Sequence, residues 1–395
     1  MSGLTARIER LFGVLIRLST GERMLLSSAA VLVAVGVGMI VILGAGYAAT
    51  CRSPALSVFG LEFCYNPIET YFVLLQGAFG DSFKLAVTLQ WTTLLLFTGL
   101  SFAIPYKAGL FNIGAQGQFV LGSLATTIAL LWAAEITPSG MLGRLVLVPV
   151  GLLAGGAIGG LYGLLPGYLK HRFEVNEVIS TLLLNFIATA IAVVTVDRYF
   201  ADPELQGTVS RSIPTEAVLS SQLFPSSANF SLLVFAFALL VLGGFYWLLT
   251  NSAIGYEIRT MGTQPKAARF GGVSERFTTL FSMTTAGVVA GVGGAVFIMM
   301  VLGRWQTGAP PVGFDGIAVS ILAGNNPLAL LPSGLLFGAL QSGGQAIQFQ
   351  LGIPSEIVGV LRGLIILLVA TPELFRLFGT QLERRGLITV DGGRE

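Results

Sequence analysis

The side chains best suited to binding chemistry in this sequence are carboxamides in or beside long apolar stretches. They are Gln90, Asn112, Gln116, Gln118, Asn185, Gln341, Gln345 and Gln348. An unpaired amide in hydrocarbon is costly, so each group must find a protein partner or face water. Two interpretations stay open: hydrogen bonds between helices, or a cavity lining that binds an uncharged, hydroxyl-rich or amide-rich solute in passing. Asn112, Gln116 and Gln118 are favoured for the second role because they share one short segment.

Ionisable groups within the apolar regions are sparse. Asp315 and Glu356 stand near the starts of apolar segments, and Arg362 lies near the middle of the last one. A buried arginine needs a partner or water, and Asp315 is the candidate partner. We expect the lone His171 to be solvated or lipid-facing. The sequence contains no P-loop and too few His and Cys residues for a Cys/His metal site, so we expect no enzyme activity and no metal or cofactor on this chain.

The composition excludes most soluble classes of protein. Charged residues make up 11% of the 395 positions and hydrophobic residues 54%, with 51 glycines in addition. A soluble protein carries about 25% charged residues, and a fold of this size with so few charges cannot cover its surface in water. The net charge of +2 is small and spread along the chain, which argues against nucleic-acid binding. The composition predicts an all-α polytopic membrane protein embedded in a lipid bilayer.

About 20 helical residues are needed to cross the bilayer core, and uncharged runs of that length recur along the chain. The predicted segments are 25–47, 83–105, 113–134, 143–168, 177–197, 229–249, 276–302, 314–323 with 327–348, and 356–371. The segment 314–323 is too short to cross alone, so we expect about ten segments, including broken or re-entrant helices. Basic residues in the short loops predict that both termini are cytosolic.

These boundaries divide the chain into three regions. A cytosolic segment 1–24 precedes a transmembrane domain at 25–371, which contains a cytosolic loop at 250–275, and a cytosolic tail follows at 372–395. We expect the first span to be retained as an anchor, because its apolar run is longer than that of a signal peptide. The outward loop after it holds Cys51 and Cys64, and both a disulfide and two free thiols stay open.

Small residues and helix breakers form two further patterns. In the span 143–168, glycines recur every four residues: Gly151, Gly155, Gly159, Gly163 and Gly167. Such a seam permits a close approach of another helix, either for static packing or for sliding. A second glycine cluster lies at 287–294. The stretches 106–118 and 310–327 should break helices, and paired breaks in two halves of a chain indicate a transport pathway.

The loop 250–275 contains a short predicted helix. Pro265 suits its first turn, and Gly271 with Gly272 should end it. Carrying Ala267 and Ala268 between basic residues, this helix is shaped either to dock into a groove on another protein or to rest on anionic lipid.

The same loop resembles the cytosolic signature of permease subunits of ATP-binding-cassette (ABC) importers. Residues 255–272 follow the pattern Gly-x-x-x-Arg-x-x-Gly-x-x-x-x-Ala-Ala-x-x-x-Gly, which is found in the branch shared by branched-chain amino acid, ribose-type sugar and nucleoside systems. Three further stretches, 109–118, 176–185 and 313–319, resemble the nucleoside-type permeases. Many members of that branch have Glu at the position of Gln116.

This resemblance implies a channel subunit of an importer in the cell membrane, for nucleosides or related simple sugars. It implies three partners: an ABC ATPase that holds ATP and Mg, a second homologous permease, and an extracytoplasmic solute-binding protein. The predicted substrate-pathway residues are Asn112, Gln116, Gln118, Asn185 and Asp315. The implied ATPase-coupling residues are Gly255, Glu257, Arg259, Pro265, Ala267, Ala268 and Gly272. The alternatives are an ion-coupled secondary transporter of a small polar solute and, third, a passive channel or scaffold.

Overall fold

The computed structural model describes residues 20–51, 53–58, 60–219, 223–354, 356–360, 363–364 and 367, and most of them are helical. Arg362, half of the predicted span 356–371 and the tail 372–395 lie outside the described residues. The chain divides into two compact units. One unit runs up to Gly77 and resumes at Gly343, and the other is Ala78–Ser342.

The described residues form helices and one small hairpin. The helices are α1 (Thr20–Ala48), α2 (Pro67–Phe79), α3 (Ser82–Lys107), α4 (Ala115–Ala134), α5 (Met141–Phe173), α6 (Glu177–Thr195), α7 (Leu232–Asn251), α8 (Ala253–Thr263), α9 (Pro265–Phe270), α10 (Glu275–Val296), α11 (Val312–Leu322) and α12 (Leu330–Leu351). Wider π-helical turns continue α6 through Val196–Phe200 and α10 through Phe297–Leu302. The antiparallel strands β1 (Leu56–Val58) and β2 (Leu61–Phe63) form the hairpin after α1.

Among the described residues, six helices are long and apolar enough to cross a membrane: α3, α4, α5 and α7, and α6 and α10 with their extensions. They coincide with the predicted spans from 83–105 to 276–302. The expectation of a helical, multi-pass membrane protein is thereby confirmed. The finer prediction of about ten segments with both termini in the cytosol stays a prediction.

The first unit contains an element that the sequence analysis assigned to an outward loop. Helix α2 follows the hairpin, and its Tyr71 hydroxyl donates to the Val35 carbonyl of α1 at 3.1 Å. A Cβ on Gly77 would lie 3.1 Å from the Gly343 Cα of α12, so the two helices cross at close range. Cys51 and Cys64 form a disulfide, which resolves the alternatives left open by the sequence.

The second unit is organised around α3 and α10. Helix α3 is the most deeply buried of the candidate spans, and the hydroxyls of Thr92, Thr93 and Thr98 donate to backbone carbonyls one turn earlier, as Thr93 does to Leu89 at 2.7 Å. Hydroxyls satisfied in this way can be buried in an apolar bundle without another polar partner. Helix α10 packs against α3, α4 and α5.

The glycine seam of α5 meets the second glycine cluster, on α10. A Cβ on Gly159 would lie 2.7 Å from the Gly291 Cα, and one on Gly163 would lie 3.0 Å from the Gly287 Cα. Gly291 also contacts α4, because a Cβ on Gly122 of that helix would lie 2.6 Å from the Gly291 carbonyl oxygen. The backbone of α10 therefore lies in contact with the backbones of α4 and α5. Larger side chains at these positions would prevent so close an approach.

The far end of α10 is fastened to the connection between α6 and α7. The Ser210 amide donates to the Trp305 carbonyl at 2.8 Å, and the Trp305 amide donates to the Ser210 hydroxyl at 2.9 Å. The Ile213 amide adds a bond to the Gly303 carbonyl at 2.9 Å. Both Ser210 and Trp305 are buried, so these bonds are shielded from water.

Candidate functional site

The first helix break is the connection 108–114 between α3 and α4, and a pair of buried amides braces it. Asn112 Nδ2 donates to Gln118 Oε1 at 3.1 Å, and Gln118 Nε2 donates back to Asn112 Oδ1 at 3.4 Å. Asn112 Oδ1 also accepts from the Gly114 amide at 3.0 Å. The pair thus ties the turn before α4 to the first turn of that helix.

Helix α6 supplies partners for backbone groups that the break leaves open. The Gly117 amide, one of the unpaired donors in the first turn of α4, donates to Asn185 Oδ1 at 2.7 Å. Asn185 Nδ2 donates to the Ile113 carbonyl at 2.9 Å, and the Ile113 amide donates to Thr181 Oγ1 at 3.2 Å. Asn185 therefore acts as a helix cap supplied from a different helix.

Gln116 joins this break to the second one, the connection 303–311 before α11. Its Nε2 donates to the Pro310 carbonyl at 3.1 Å, and its Oε1 accepts from the Gly313 amide at 2.7 Å. A Cβ on Gly313 would lie 2.8 Å from the Gln116 Cβ, so glycine is required for this approach. These two connections thus meet at one buried carboxamide. The second predicted break, 310–327, contains the helix α11, close to the predicted segment 314–323, so the non-helical residues there lie on either side of α11.

The predicted pathway residues therefore form one neighbourhood. Asn112, Gln116, Gln118 and Asn185 are each no more than 8% exposed. Asp315 is partly exposed in the first turn of α11, two residues after Gly313. The four amides make hydrogen bonds within the protein, which is the first interpretation given above, and contact with a solute stays a prediction.

The other carboxamides have separate settings. Gln90 on α3 is buried and donates through Nε2 to the Asn229 carbonyl at 3.1 Å. Gln341, Gln345 and Gln348 all lie on α12, the first partly exposed and the other two exposed.

The cytosolic loop predicted at 250–275 forms two helices rather than one. Helix α8 begins after a tight turn in which Ser252 Oγ accepts from the Gly255 amide at 3.0 Å. A Cβ on Gly255 would lie 2.7 Å from the Leu249 Cα, which explains the glycine that opens the signature. Arg259 is exposed and donates through Nε to the Gly255 carbonyl at 3.3 Å, while Glu257 is partly exposed on the same helix.

Helix α9 has the predicted ends. Pro265 is its first residue, and Gly271 and Gly272 follow its last, with Gly272 at a φ of +86°. Ala268 is buried, whereas Ala267 is exposed. The final residue, Phe270, has 95% of its surface exposed, a large apolar side chain at the tip of a polar loop.

A contact that the sequence analysis did not identify connects this loop to the first break. A Cβ on Gly262, at the end of α8, would lie 2.9 Å from the Gly109 amide nitrogen. Ile258 is fully buried in a cluster with Ala108 and Leu110 of the break. The signal was present in the sequence, because Gly262 belongs to the signature, but its partner lies about 150 residues earlier in the chain and no local pattern links the two.

Charged groups connect α9 to its neighbours. Arg269 Nη2 lies 2.7 Å from Glu275 Oε2 in the first turn of α10. Both residues line a polar cleft of about 400 Å³ together with Lys170, His171, Glu174 and Thr279. His171 is therefore exposed beside other charged groups, one of the two settings expected for it.

Comparison with known proteins identifies the family. Residues 85–370 match the family described as the branched-chain amino acid transport system permease component. A nucleoside ABC transporter permease protein, NupB, of Lactococcus lactis subsp. cremoris is 33% identical over 78% of this chain and 85% of its own length. A guanosine ABC transporter permease protein, NupP, of Bacillus subtilis is 30% identical over 82% and 91%, respectively.

A third relative is named for a different substrate. The glucose ABC transporter permease protein TsgB13 of Haloferax volcanii is 30% identical over 81% of this chain and 85% of its own length. The match covers more than half of the chain, and the relatives are aligned over most of their length. This chain therefore belongs to the permease-component family of branched-chain amino acid transport systems, and it is a multi-pass membrane protein of the ABC transporter type.

Proposed function

We propose that this chain is one half of the membrane channel of an importer for nucleosides or related simple sugars. Two of the relatives are nucleoside transporter permeases and one is a glucose transporter permease, which supports this substrate class. The other half is a second homologous permease, and a solute-binding protein delivers the substrate. A separate ATPase subunit binds ATP and Mg and carries out the hydrolysis. Both termini lie in the cytosol, with about ten segments in the membrane.

The observation that carries the coupling mechanism is the contact of α8 with the first break. Gly262 lies against Gly109, and Ile258 packs on Ala108 and Leu110. A displacement of the loop 250–275 must also move the connection 108–114, because a well-packed contact transmits strain rather than absorbing it. ATPase closure that pushes on α9 therefore reaches the residues around Asn112.

A second route leads from α9 into the bundle. The ion pair of Arg269 with Glu275 joins α9 to the start of α10, and the glycine contacts join α10 to α4 and α5. These helices then move as a group between outward-open and inward-open states. ATP and the solute-binding protein supply the differential binding energy that shifts the populations of the two states.

The amides around the breaks serve the solute in this scheme. Asn112, Gln116, Gln118 and Asn185 now bond to open backbone groups or to one another. When the breaks separate, these donors and acceptors turn to the hydroxyl and amide groups of a passing nucleoside. Exchange of one set of hydrogen bonds for another keeps the barrier low, since a buried unpaired amide would be costly.

The test compares Gly262→Ala with the control Gly243→Ala in the assembled transporter, reconstituted in proteoliposomes with its ATPase and solute-binding protein. A Cβ at Gly262 strikes backbone, whereas one at Gly243 on α7 meets nothing within 4 Å. We expect Gly262→Ala to lose ATP-driven nucleoside uptake while the ATPase still co-purifies and hydrolyses ATP, and Gly243→Ala to behave as wild type.

Two results would overturn the proposal. Equal uptake by Gly262→Ala and wild type would contradict the coupling route through α8. Uptake by this chain alone, driven by an ion gradient and indifferent to ATP, would replace the importer with a secondary transporter.

A further inference from the structure

An apolar cleft of about 350 Å³ opens between α5 and α7, away from the helix breaks. Its walls include Leu145, Val148 and Leu152 of α5 and Leu233 and Val234 of α7, and Val296 of α10 lies at its floor. Arg144 is the charged residue at the rim. We propose that this cleft binds one acyl chain of a membrane phospholipid, whose phosphate is held by Arg144.

The length of α5 sets the depth of the rim in the bilayer. Lys170 lies 26 positions after Arg144, which corresponds to about 39 Å of helix, close to the roughly 40–45 Å that a bilayer measures with its headgroup regions included. When Lys170 and His171 lie at the headgroups of one leaflet, Arg144 lies at those of the other. A guanidinium at that depth meets the phosphates of the membrane, which it recognises with charge-assisted hydrogen bonds.

The apolar walls lead from that rim toward the middle of the membrane. Leu145, Val148 and Leu152 are spaced by three and four residues, so they lie along one face of α5 below Arg144. Val234 and Val296 form a buried floor, while Leu145 and Leu233 are more than 60% exposed at the edges. The cleft is thus open sideways, toward lipid, and its polar group stands at one end, which matches an amphiphile with one charged end.

The position of Arg144 is fixed by the protein. Its Nη2 donates to the Val218 carbonyl at 3.3 Å, so the guanidinium is held at the rim by the connection that precedes α7. A cation placed in advance loses less conformational entropy when it binds an anion. In the orientation proposed above, this end of α5 lies in the outer leaflet.

The experiment measures lipid retention by native mass spectrometry of the full-length protein in detergent. The probes are dipalmitoyl phosphatidylglycerol and dipalmitoylglycerol, which has the same chains and no phosphate. Leu152→Trp fills the cleft, and Leu153→Trp is its control, because Leu153 lies on the same helix, is 71% exposed and does not line the cleft. We expect Leu152→Trp to abolish retention of phosphatidylglycerol and Leu153→Trp to keep it at the wild-type level.

The phosphate contact is tested with Arg144→Gln and the control Arg172→Gln at the opposite end of α5. Loss of a charge-assisted hydrogen bond should weaken phosphatidylglycerol binding at least about tenfold in Arg144→Gln and leave dipalmitoylglycerol binding unchanged. Thermal unfolding of each variant, recorded alongside, identifies any general loss of folding.

Three outcomes would overturn this assignment. The first is that the wild type retains no phosphatidylglycerol, and the second is that Leu152→Trp and Leu153→Trp retain equal amounts of it. The third is that Leu145→Cys in the assembled transporter cross-links to a second permease subunit, which would make the cleft a protein interface.

Discussion

At the residue scale, the helix breaks depend on side-chain amides that replace missing backbone partners. Gln116 satisfies both the Gly313 amide and the Pro310 carbonyl with one side chain, because a carboxamide carries a donor and an acceptor. Buried backbone groups without partners cost about 1–3 kcal/mol each. A break in a membrane bundle is therefore stable where such a residue is within reach.

This arrangement leads to an ordered prediction for substitutions of Gln116. Gln116→Leu removes both bonds and leaves two backbone groups without partners, so it should lower the free energy of unfolding by about 2–6 kcal/mol and abolish uptake. Gln116→Glu keeps an oxygen that accepts from the Gly313 amide, so its rate of uptake should lie between those of the wild type and Gln116→Leu. Thermal unfolding and proteoliposome uptake measure both effects. Gln348→Leu, at an exposed position of α12, is the control, and equal effects of the two leucine variants would contradict the prediction.

The amides also mark a limit of what the sequence predicts. Their residue types and the break at 106–118 indicated that Asn112, Gln116 and Gln118 belong together, and the structure places them in one neighbourhood. Their partners were not predictable, because Asn185 and Gly117 are 68 residues apart and meet only through the packing of α6 on α4. Hydrogen-bond partners of this kind follow from the tertiary structure and leave no local periodicity.

At the scale of elements, the long apolar helices and the short helix α9 were predicted, whereas the short helices α2 and α8 were not. A span needs only a long uncharged run, which is why α3 to α7 and α10 match their predicted segments. Helix α2 has 13 residues with Glu69 in its first turn, too short and too polar for that criterion. The glycines of α5 and α10 were both noticed, but that they contact each other follows only from the fold.

Those glycine contacts give a prediction with opposite signs for the same substitution. Gly159→Ala forces apart α5 and α10 and should lower the free energy of unfolding by about 1–3 kcal/mol. The Cβ that Gly244→Ala adds on α7 meets nothing within 4 Å. The gain in helix propensity should therefore raise the free energy of unfolding by about 0.5–1 kcal/mol. Thermal unfolding in one detergent compares the two. A stabilising effect of Gly159→Ala would contradict the close packing.

At the scale of the whole molecule, the topology is defined by the side of the membrane on which each connection between helices lies. The disulfide of Cys51 with Cys64 belongs to an oxidising compartment, and the loop that carries Lys266 is proposed to face the ATPase in the cytosol. An odd number of crossings must separate two such points. Helix α2 lies between them and was not counted among the predicted spans, so this topology needs a direct test.

Thiol labelling in right-side-out vesicles provides it. After treatment with a membrane-impermeant reductant, we expect Cys51 and Cys64 to react with an impermeant maleimide in sealed vesicles. Lys266→Cys, in a chain with both native cysteines replaced by serine, should react only after the vesicles are opened. Labelling of Lys266→Cys in sealed vesicles would place the loop on the outer side and reverse the proposed orientation.

Helix α10 with its extension runs without interruption from Glu275 to Leu302, about 42 Å at 1.5 Å per residue. One end is attached to α9 by Arg269, and just past the other end Trp305 is attached to Ser210. Thermodynamic linkage then applies to any two ligands that bind at opposite ends of α10 and respond to a shift of this helix. If the first ligand raises the affinity for the second by some factor, the second raises the affinity for the first by the same factor. In the proposed transporter, docking of the solute-binding protein at one end and binding of nucleotide by the ATPase at the other would therefore change each other's affinity, even with no solute in the channel.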